Sequence, residues 1–203
     1  MFIYTILSSF NKKKDRFVEV PNYPDWLTFS RPSTNNNYYS RVISYINMWL
    51  SHMHFYLRKN IFNYKDINCF SLFNDGDIFY VIKIYSNNHQ SALKYLKNTK
   101  FNFYNVLVMA SDSNIKDKDW NSSYPFHLTH SNVLFDIMDS FDLRLSYPIY
   151  QVLTCYSDNT NDTNSVINLF FLHPNSIKFD NHIIISKLQY LSDYTLLTVN
   201  ILL

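Results

Sequence analysis

The sequence predicts an α+β domain: a mixed or antiparallel sheet, built from two hairpins plus a central strand, with helices covering one face. Three observations predict it. Asp75-Gly76 stands between two strand-like runs, Asn68–Phe73 and Asp77–Tyr85, and Asp-Gly is a strong signal for a tight hairpin. A second pair of strand-like runs, 146–156 (SYPIYQVLTCY) and 165–172 (SVINLFFL), flanks the turn-like SDNTNDTN. Segments with apolar residues at three- and four-residue spacing alternate with these pairs. A length of 203 residues suits one domain, and 47% apolar with 18% aromatic residues is ample for a core. That composition excludes a disordered, collagenous or tail-like chain.

Each element follows from its local pattern. Residues 1–10 (MFIYTILSSF) are apolar and precede Lys12, Lys13 and Lys14, the reverse of a secretory leader, so they read as a strand or turn of helix packed on the body. Residues 1–38 form an extended N-terminal arm, broken by Pro21, Pro24 and Pro32 and by Asn35, Asn36 and Asn37. Its aromatic residues Tyr23, Trp26 and Phe29 are costly to leave in water and read as a partner interface. Residues 39–203 form the single α+β domain. In 40–58, Val42, Ile46, Trp49, Leu50, Met53 and Leu57 recur at helical spacing, with Ser40 as N-cap and Arg58 and Lys59 at the end that favours cations. The hairpin follows, with the chain's single glycine where the turn demands positive φ. Residues 88–99 read as a helix with Ala92, Leu93 and Leu96 on one face. Phe101–Ala110 reads as the central strand, because its second half is continuously apolar. A polar loop covers 111–125, and a helix covers 131–142 through Val133, Leu134, Ile137, Met138 and Phe141. After the second hairpin, 180–194 reads as a helix with an isoleucine-rich start, and TLLTVNILL as a last strand.

The chemistry-bearing residue types are sparse. A net charge of +2 gives little to offset nucleic-acid phosphates, so no nucleic-acid partner is expected. One glycine in the whole chain cannot build a phosphate-cradling loop. Cys69 and Cys155 form neither a disulfide framework nor a zinc pattern. No apolar run reaches the ~18 residues of a membrane span. His127, His130 and Asp136 are the best-spaced candidates for a metal or catalytic cluster, yet seven histidines in this length pair by chance. Phe126-His127-Leu128-Thr129 is similar to half of a two-histidine phosphodiesterase site, but His173-Pro174-Asn175-Ser176 misses the needed spacing by one. These readings leave no catalytic, cofactor-binding or metal residue. Tyr147 and Tyr150, with Tyr156, Phe170 and Phe171, form an aromatic stripe without interleaved basic residues, more suited to sheet core or an obligate partner interface than to stacking bases. The abundance of Phe, Tyr, Asn, Ile and Lys is that of an AT-rich genome, as in organelles, some viruses and some parasites.

In FYVIKIYSNNHQSALKYLKNTKFNFYNVLVMASDSN a strand, a short helix ending in LKYLKNT and a buried strand followed by Asp occur in series. Together with SYPIYQVLTCYSD, VINLFFLHPNS and HIIISKLQYLSDY, this order resembles NADH dehydrogenase subunit 9 of mitochondrial complex I over residues 40–194. The family's C-terminal run of the form E-R-E-x-W-D-M-F-G has no counterpart in TLLTVNILL. The resemblance implies a non-catalytic structural subunit on the matrix side of the inner membrane, part of the respiratory chain. It would bind no cofactor directly and pack against the complex I subunits of the quinone-reaction region. The residues themselves leave open a viral or parasite interaction module and an organellar ribosomal protein.

Overall fold

The computed structural model describes residues 2–4, 26–30, 42–47, 54–87, 89–101, 105–121, 124, 131–146, 166, 168–174, 184–186 and 196–200. Strands β1 (Phe2–Tyr4), β2 (Trp26–Ser30), β3 (Ile43–Asn47) and β4 (His54–Leu57) come first in the chain. Strands β5 (Ile67–Asn74) and β6 (Asp77–Tyr85) then form a hairpin in which Asn74 faces Asp77. The two residues between them, Asp75 and Gly76, have φ of 48° and 91°. A two-residue turn that follows the twist of its strands needs positive φ at both positions. No heavy atom lies within 4 Å of where a Gly76 Cβ would stand, so glycine serves the backbone there and not close packing.

Helix α1 (Ser91–Asn98) carries the chain from β6 to β7 (Val106–Asp112), which lies parallel to β6 and is buried along its whole length. A parallel return needs such a crossover. The helix exists because Ala92, Leu93 and Leu96 share a buried face while Lys94 and Lys97 point outward. Asn87 Oδ1 accepts from the Ser91 backbone N–H at its start. Helix α2 (Ser131–Ser140) buries Leu134, Ile137 and Met138. Lys97 and Asp136 join the two helices by an exposed ion pair of 2.7 Å, a contact worth roughly 0.2–1 kcal/mol.

Strand β8 (Arg144–Ser146) pairs with β9 (Asn168–Leu172), and β9 runs antiparallel beside β7. The six-stranded sheet has the order β4-β5-β6-β7-β9-β8. One parallel pair among antiparallel neighbours makes it mixed, and the domain is α+β. A five-stranded antiparallel sheet is built from β10 (Ile184–Ser186), β11 (Leu196–Asn200), β1, β3 and β2, in that order. It joins the two ends of the chain, with Phe2 opposite Asn200. Within the N-terminal arm, Trp26–Ser30 pairs residue by residue with β3.

Two segments expected as helices contain strands among their described residues. Residues 40–58 contain β3 and β4, and residues 180–194 contain β10. The physical reason is the same in both. Val42, Ile43, Ile46 and the run Ile183-Ile184-Ile185 are β-branched, and Tyr45, Phe55 and Tyr56 are aromatic, so their side chains suit a pleated surface. Apolar residues crowd both spacings in such stretches, and pairing with neighbouring strands decides the outcome.

The six-stranded sheet separates two apolar clusters. One holds Cys69, Ile82, Ile84, Met109 and Phe171 with the buried residues of α1 and α2. The other holds the alternating side chains Phe70, Val81, Val108, Ala110, Phe170 and Leu172.

Candidate functional site

Following the second cluster toward the carboxyl ends of β6 and β7, each strand changes from apolar to polar at the next same-face residue. Asn68 follows Phe70, Lys83 follows Val81, Asp112 follows Ala110, and Asn168 follows Phe170. The register sets these four in one row. Asn68 lies opposite Lys83, Asp112 opposite Asn168, and Lys83 opposite Ala110, two residues before Asp112. All four are at most 3% exposed. Four polar groups buried together across adjacent strands are expensive unless they serve one another or a ligand.

Lys83 is the strongest anomaly. Burial strips water from its ammonium and lowers its pKa from 10.5 to about 7, and the Asp112 carboxylate pulls it partly back. Asn68 donates from Nδ2 to the Val42 carbonyl at 3.2 Å, which ties the row to the residue before β3. Its Oδ1 meets no donor among the described residues.

The rim of the row is fastened by backbone. The Ser86 N–H donates to the Asp112 carbonyl at 2.8 Å, and Asn114 Nδ2 donates to the Ser86 carbonyl at 2.6 Å. Asn114 adopts φ 49°, a left-handed conformation that asparagine tolerates, and so turns the chain sharply off β7. The segment after it, expected as a polar loop, is anchored by buried Ile115 and Trp120. Trp120 Nε1 donates to the Ile115 carbonyl at 3.0 Å, and its ring lies 5.8 Å from that of Phe135. Asp117 Oδ1 accepts from the Asp119 N–H at 3.0 Å. The half-exposed residues at this end are Tyr85, Asn87 and Asn114. In sheets with parallel strands, ligands characteristically bind outside the strands' carboxyl ends, where neighbouring connections diverge. Here β6 leaves toward α1 and β7 toward the Trp120 loop.

The residues singled out by sequence lie elsewhere. Asp75 and Gly76 form the β5–β6 turn, at the opposite end of β6 from Tyr85. Asp136 faces Lys97 on the surface of α2. Cys69 is buried in β5. Trp26 and Phe29 belong to β2. Tyr23, His127, His130, Tyr147, Tyr150 and Cys155 fall outside the described residues, and among those described no three His, Cys, Asp or Glu side chains gather as metal ligands. Sequence reasoning passed over Asn68, Lys83, Asp112 and Asn168. Their signal was a lone polar residue inside an apolar strand, plainest for Lys83 in VIKIY, since lysine is almost never fully buried without a partner.

A family model described as endonuclease-reverse transcriptase matches residues 70–197, well over half of the chain. The chain belongs to the endonuclease-reverse transcriptase family. The match includes Lys83, Asp112 and Asn168. No curated protein matches. Among solved structures, the endonuclease domain of TRAS1, a telomere-specific non-LTR retrotransposon, is similar in fold at 12% identity, with a TM-score of 0.69, 89% of this chain covered and 82% of that one. Humanized D. rerio TDP2 carrying 14 mutations gives 12% identity and a TM-score of 0.46, with 87% and 76% covered. Staphylococcus aureus beta toxin gives 10% and 0.35, with 66% and 56% covered.

Membership in this family overturns the resemblance to complex I subunit 9. The strand, helix and strand at 79–112 are a β6-α1-β7 crossover, a unit common to unrelated sheets, so order and pattern alone do not separate the two families. The structural role in the respiratory chain and the complex I partners fall with it, and the interaction-module and ribosomal alternatives gain no support. The expectation of no nucleic-acid partner is likewise corrected by a family of endonucleases. A whole-chain charge of +2 says little about a site whose charge is set by a few local groups.

Proposed function

We propose that this chain acts on nucleic acid as a phosphodiester-cleaving domain, with the buried row at the carboxyl ends of β6 and β7 as its reaction centre. The observation that carries the reading is Lys83 held within electrostatic reach of Asp112, inside the segment that belongs to an endonuclease family. On this reading the two helices cover the sheet face opposite the row, and substrate approaches at the rim formed by Tyr85, Asn87 and Asn114.

Hydrolysis of a phosphodiester requires a water to lose a proton as its oxygen bonds to phosphorus, and the departing sugar oxygen to gain one. Lys83, with a pKa of about 7, holds and releases its proton near neutrality, the range in which a general acid works best. Asp112 supplies the acceptor. Asn68 Oδ1 offers a further acceptor opposite Lys83, and Asn168 stands opposite Asp112 in the register. When protonated, Lys83 also offsets charge developing on the phosphate, and low polarity around it strengthens that effect.

A resident divalent cation suits this set poorly. Asp112 is the row's single carboxylate, and the Lys83 ammonium occupies the electrostatic place a cation would take. Magnesium sites draw one or two carboxylates from the protein together with substrate phosphates, and a single carboxylate shared with an amine is at the low end of that range. The reading therefore routes no step through a metal and keeps the expectation that the chain binds no cofactor of its own.

The test is relaxation of supercoiled plasmid and cutting of labelled single-stranded DNA and RNA, each in magnesium and in chelator. Wild type should cut in both buffers, and Asp112→Asn should lose at least ~100-fold of the rate, the lower end for a proton-transfer group. Failure of wild type to cut any of these substrates, or full activity in Asp112→Asn, would overturn the proposal. Cutting only in magnesium would overturn the metal-free form of it.

A further inference from the structure

Strand β4 is the outer strand of the six-stranded sheet, and it carries Tyr56, the one large apolar side chain among the described residues that is strongly exposed, at 50%. The ring is not left loose. Its edge meets Phe73 at 5.8 Å between centroids and an interplanar angle of 88°. The Arg58 guanidinium carbon lies 5.6 Å from the Tyr56 centroid and 6.0 Å from that of Phe73. Ser71, directly opposite Tyr56 on β5, fixes that guanidinium by accepting from Arg58 Nε at 2.7 Å. One of the five guanidinium N–H groups is thereby used, which leaves four as potential donors.

The connection that follows is basic. Residues 58–65 (RKNIFNYK) hold Arg58, Lys59 and Lys65 and no acidic residue, so this short segment carries more positive charge than the chain's net +2. It is also firmly built. The Asn63 N–H donates to the Tyr95 hydroxyl at 3.0 Å, the Tyr64 and Tyr95 rings stack at 4.9 Å, and Phe62 is fully buried.

We infer that Tyr56, Arg58 and the 58–65 connection form a stacking platform for an unpaired nucleotide of a nucleic-acid strand, separate from the buried row. A base stacks on the open side of Tyr56, and the free edge of Arg58 with Lys59 meets the flanking phosphate. Aromatic stacking with adjacent basic groups selects single strands, because the bases of a duplex have no free face. A protein partner fits less well, since the guanidinium that lies against the exposed Tyr56 ring matches a polyanion beside a stacked base. The platform lies on β4 and Asp112 on β7, three strands apart in the sheet order, so it engages a part of the strand remote from the bond at the row. The inference rests on the proposed action on nucleic acid.

The experiment measures binding of the full chain to a fluorescent single-stranded oligonucleotide and to the matching blunt duplex over a range of salt. Tyr56→Ala should weaken single-strand binding roughly tenfold, the effect of losing one stacked base. It should leave duplex binding nearly unchanged, and Tyr56→Trp should restore the single strand. Arg58→Gln should weaken binding and reduce the salt slope by about one. If wild type binds single strands and Tyr56→Ala binds them equally well, the platform is refuted while the proposed function stands. Wild type that binds neither oligonucleotide would refute the proposed function and the platform together. A peptide or protein that competes with the single strand only when Tyr56 is intact would reassign the surface to a protein partner and overturn the inference.

Discussion

Replacing Lys83 and Asp112 together, by Met and Asn, should abolish one pH dependence of stability and relieve the cost that the buried ammonium imposes near neutrality. Lys83 stands in β6 at 2% exposure, and burial lowers its pKa from 10.5 to about 7 despite the Asp112 carboxylate beside it. In the unfolded chain the same amine titrates near its ordinary value. Between about 7 and 10.5 the unfolded state thus holds a proton that the folded state has released, and stability rises with pH across that window. Below about pH 7 both states are protonated, and the cost of the buried charge is present in full. One pH unit across the window is worth about 1.4 kcal/mol, so the full cost is roughly 5 kcal/mol. The cost remaining at pH 9 is about 2 kcal/mol.

Wild type should therefore gain about 2–3 kcal/mol between pH 7 and pH 9 from this group alone, since the amine is already half-deprotonated at pH 7. The double variant should lack the gain, because methionine fills the strand position without a titrating group and asparagine leaves no bare carboxylate. Changing Lys83 alone would confuse the test: a buried carboxylate deprived of its cation costs on the order of 3–5 kcal/mol and brings its own titration. Urea unfolding at pH 7, 8 and 9, followed by tryptophan fluorescence and circular dichroism, gives the two curves. Parallel curves over that interval would show that the Lys83 proton is not linked to folding. The buried row and the proton chemistry built on it would then have to be abandoned.

Two further perturbations test other parts of the fold. Gly76→Val places a β-branched residue at φ 91° with open space around it, so the cost is backbone strain alone, about 1–2 kcal/mol, read as a lower urea midpoint with an unchanged slope. An unchanged urea midpoint would refute the backbone-strain reading of this turn. Trp120→Ala empties a fully buried position and deletes its bond to the Ile115 carbonyl, for a cost of about 3–5 kcal/mol. Because Trp120 anchors the loop that follows β7, the same change should speed amide exchange at Ser113–Asn121; unaltered exchange there would separate the loop from the core.

The middle of the chain was legible because its signals are local. Asp75-Gly76 is one of the few dipeptides that favour a two-residue hairpin turn, α1 shows one clean apolar face in eight residues, and β7 opens with a continuous apolar run that suits a central strand. The second sheet was not legible. It joins Phe2–Tyr4 to Leu196–Asn200 across the whole chain, and no local pattern encodes a pairing at that separation. Ile43–Asn47 is a strand because β1 and β2 pair with it on both sides, although its apolar spacing fits a helix as well. The site was hidden for the same reason. Asn68, Lys83, Asp112 and Asn168 are each a single polar residue in a separate strand, and their meaning as a row depends on the register of four strands.

That dependence also explains why the row sits where it does. A polar residue in the middle of a buried strand is tolerated only where its neighbours on both sides are polar too, since each must replace the water the others have lost. The hairpin turn at Asp75-Gly76 fixes Asn68 opposite Lys83, and the β6-α1-β7 crossover brings Asp112 beside them. A slip of one residue in either pairing would turn the polar group of the shifted strand to the face that carries Cys69, Ile82 and Met109. The row therefore penalises wrong registers as strongly as the apolar clusters favour the right one. Its cost to stability, visible in the lowered pKa of Lys83, is what leaves a proton-exchanging amine and a carboxylate together at the mouth of the sheet.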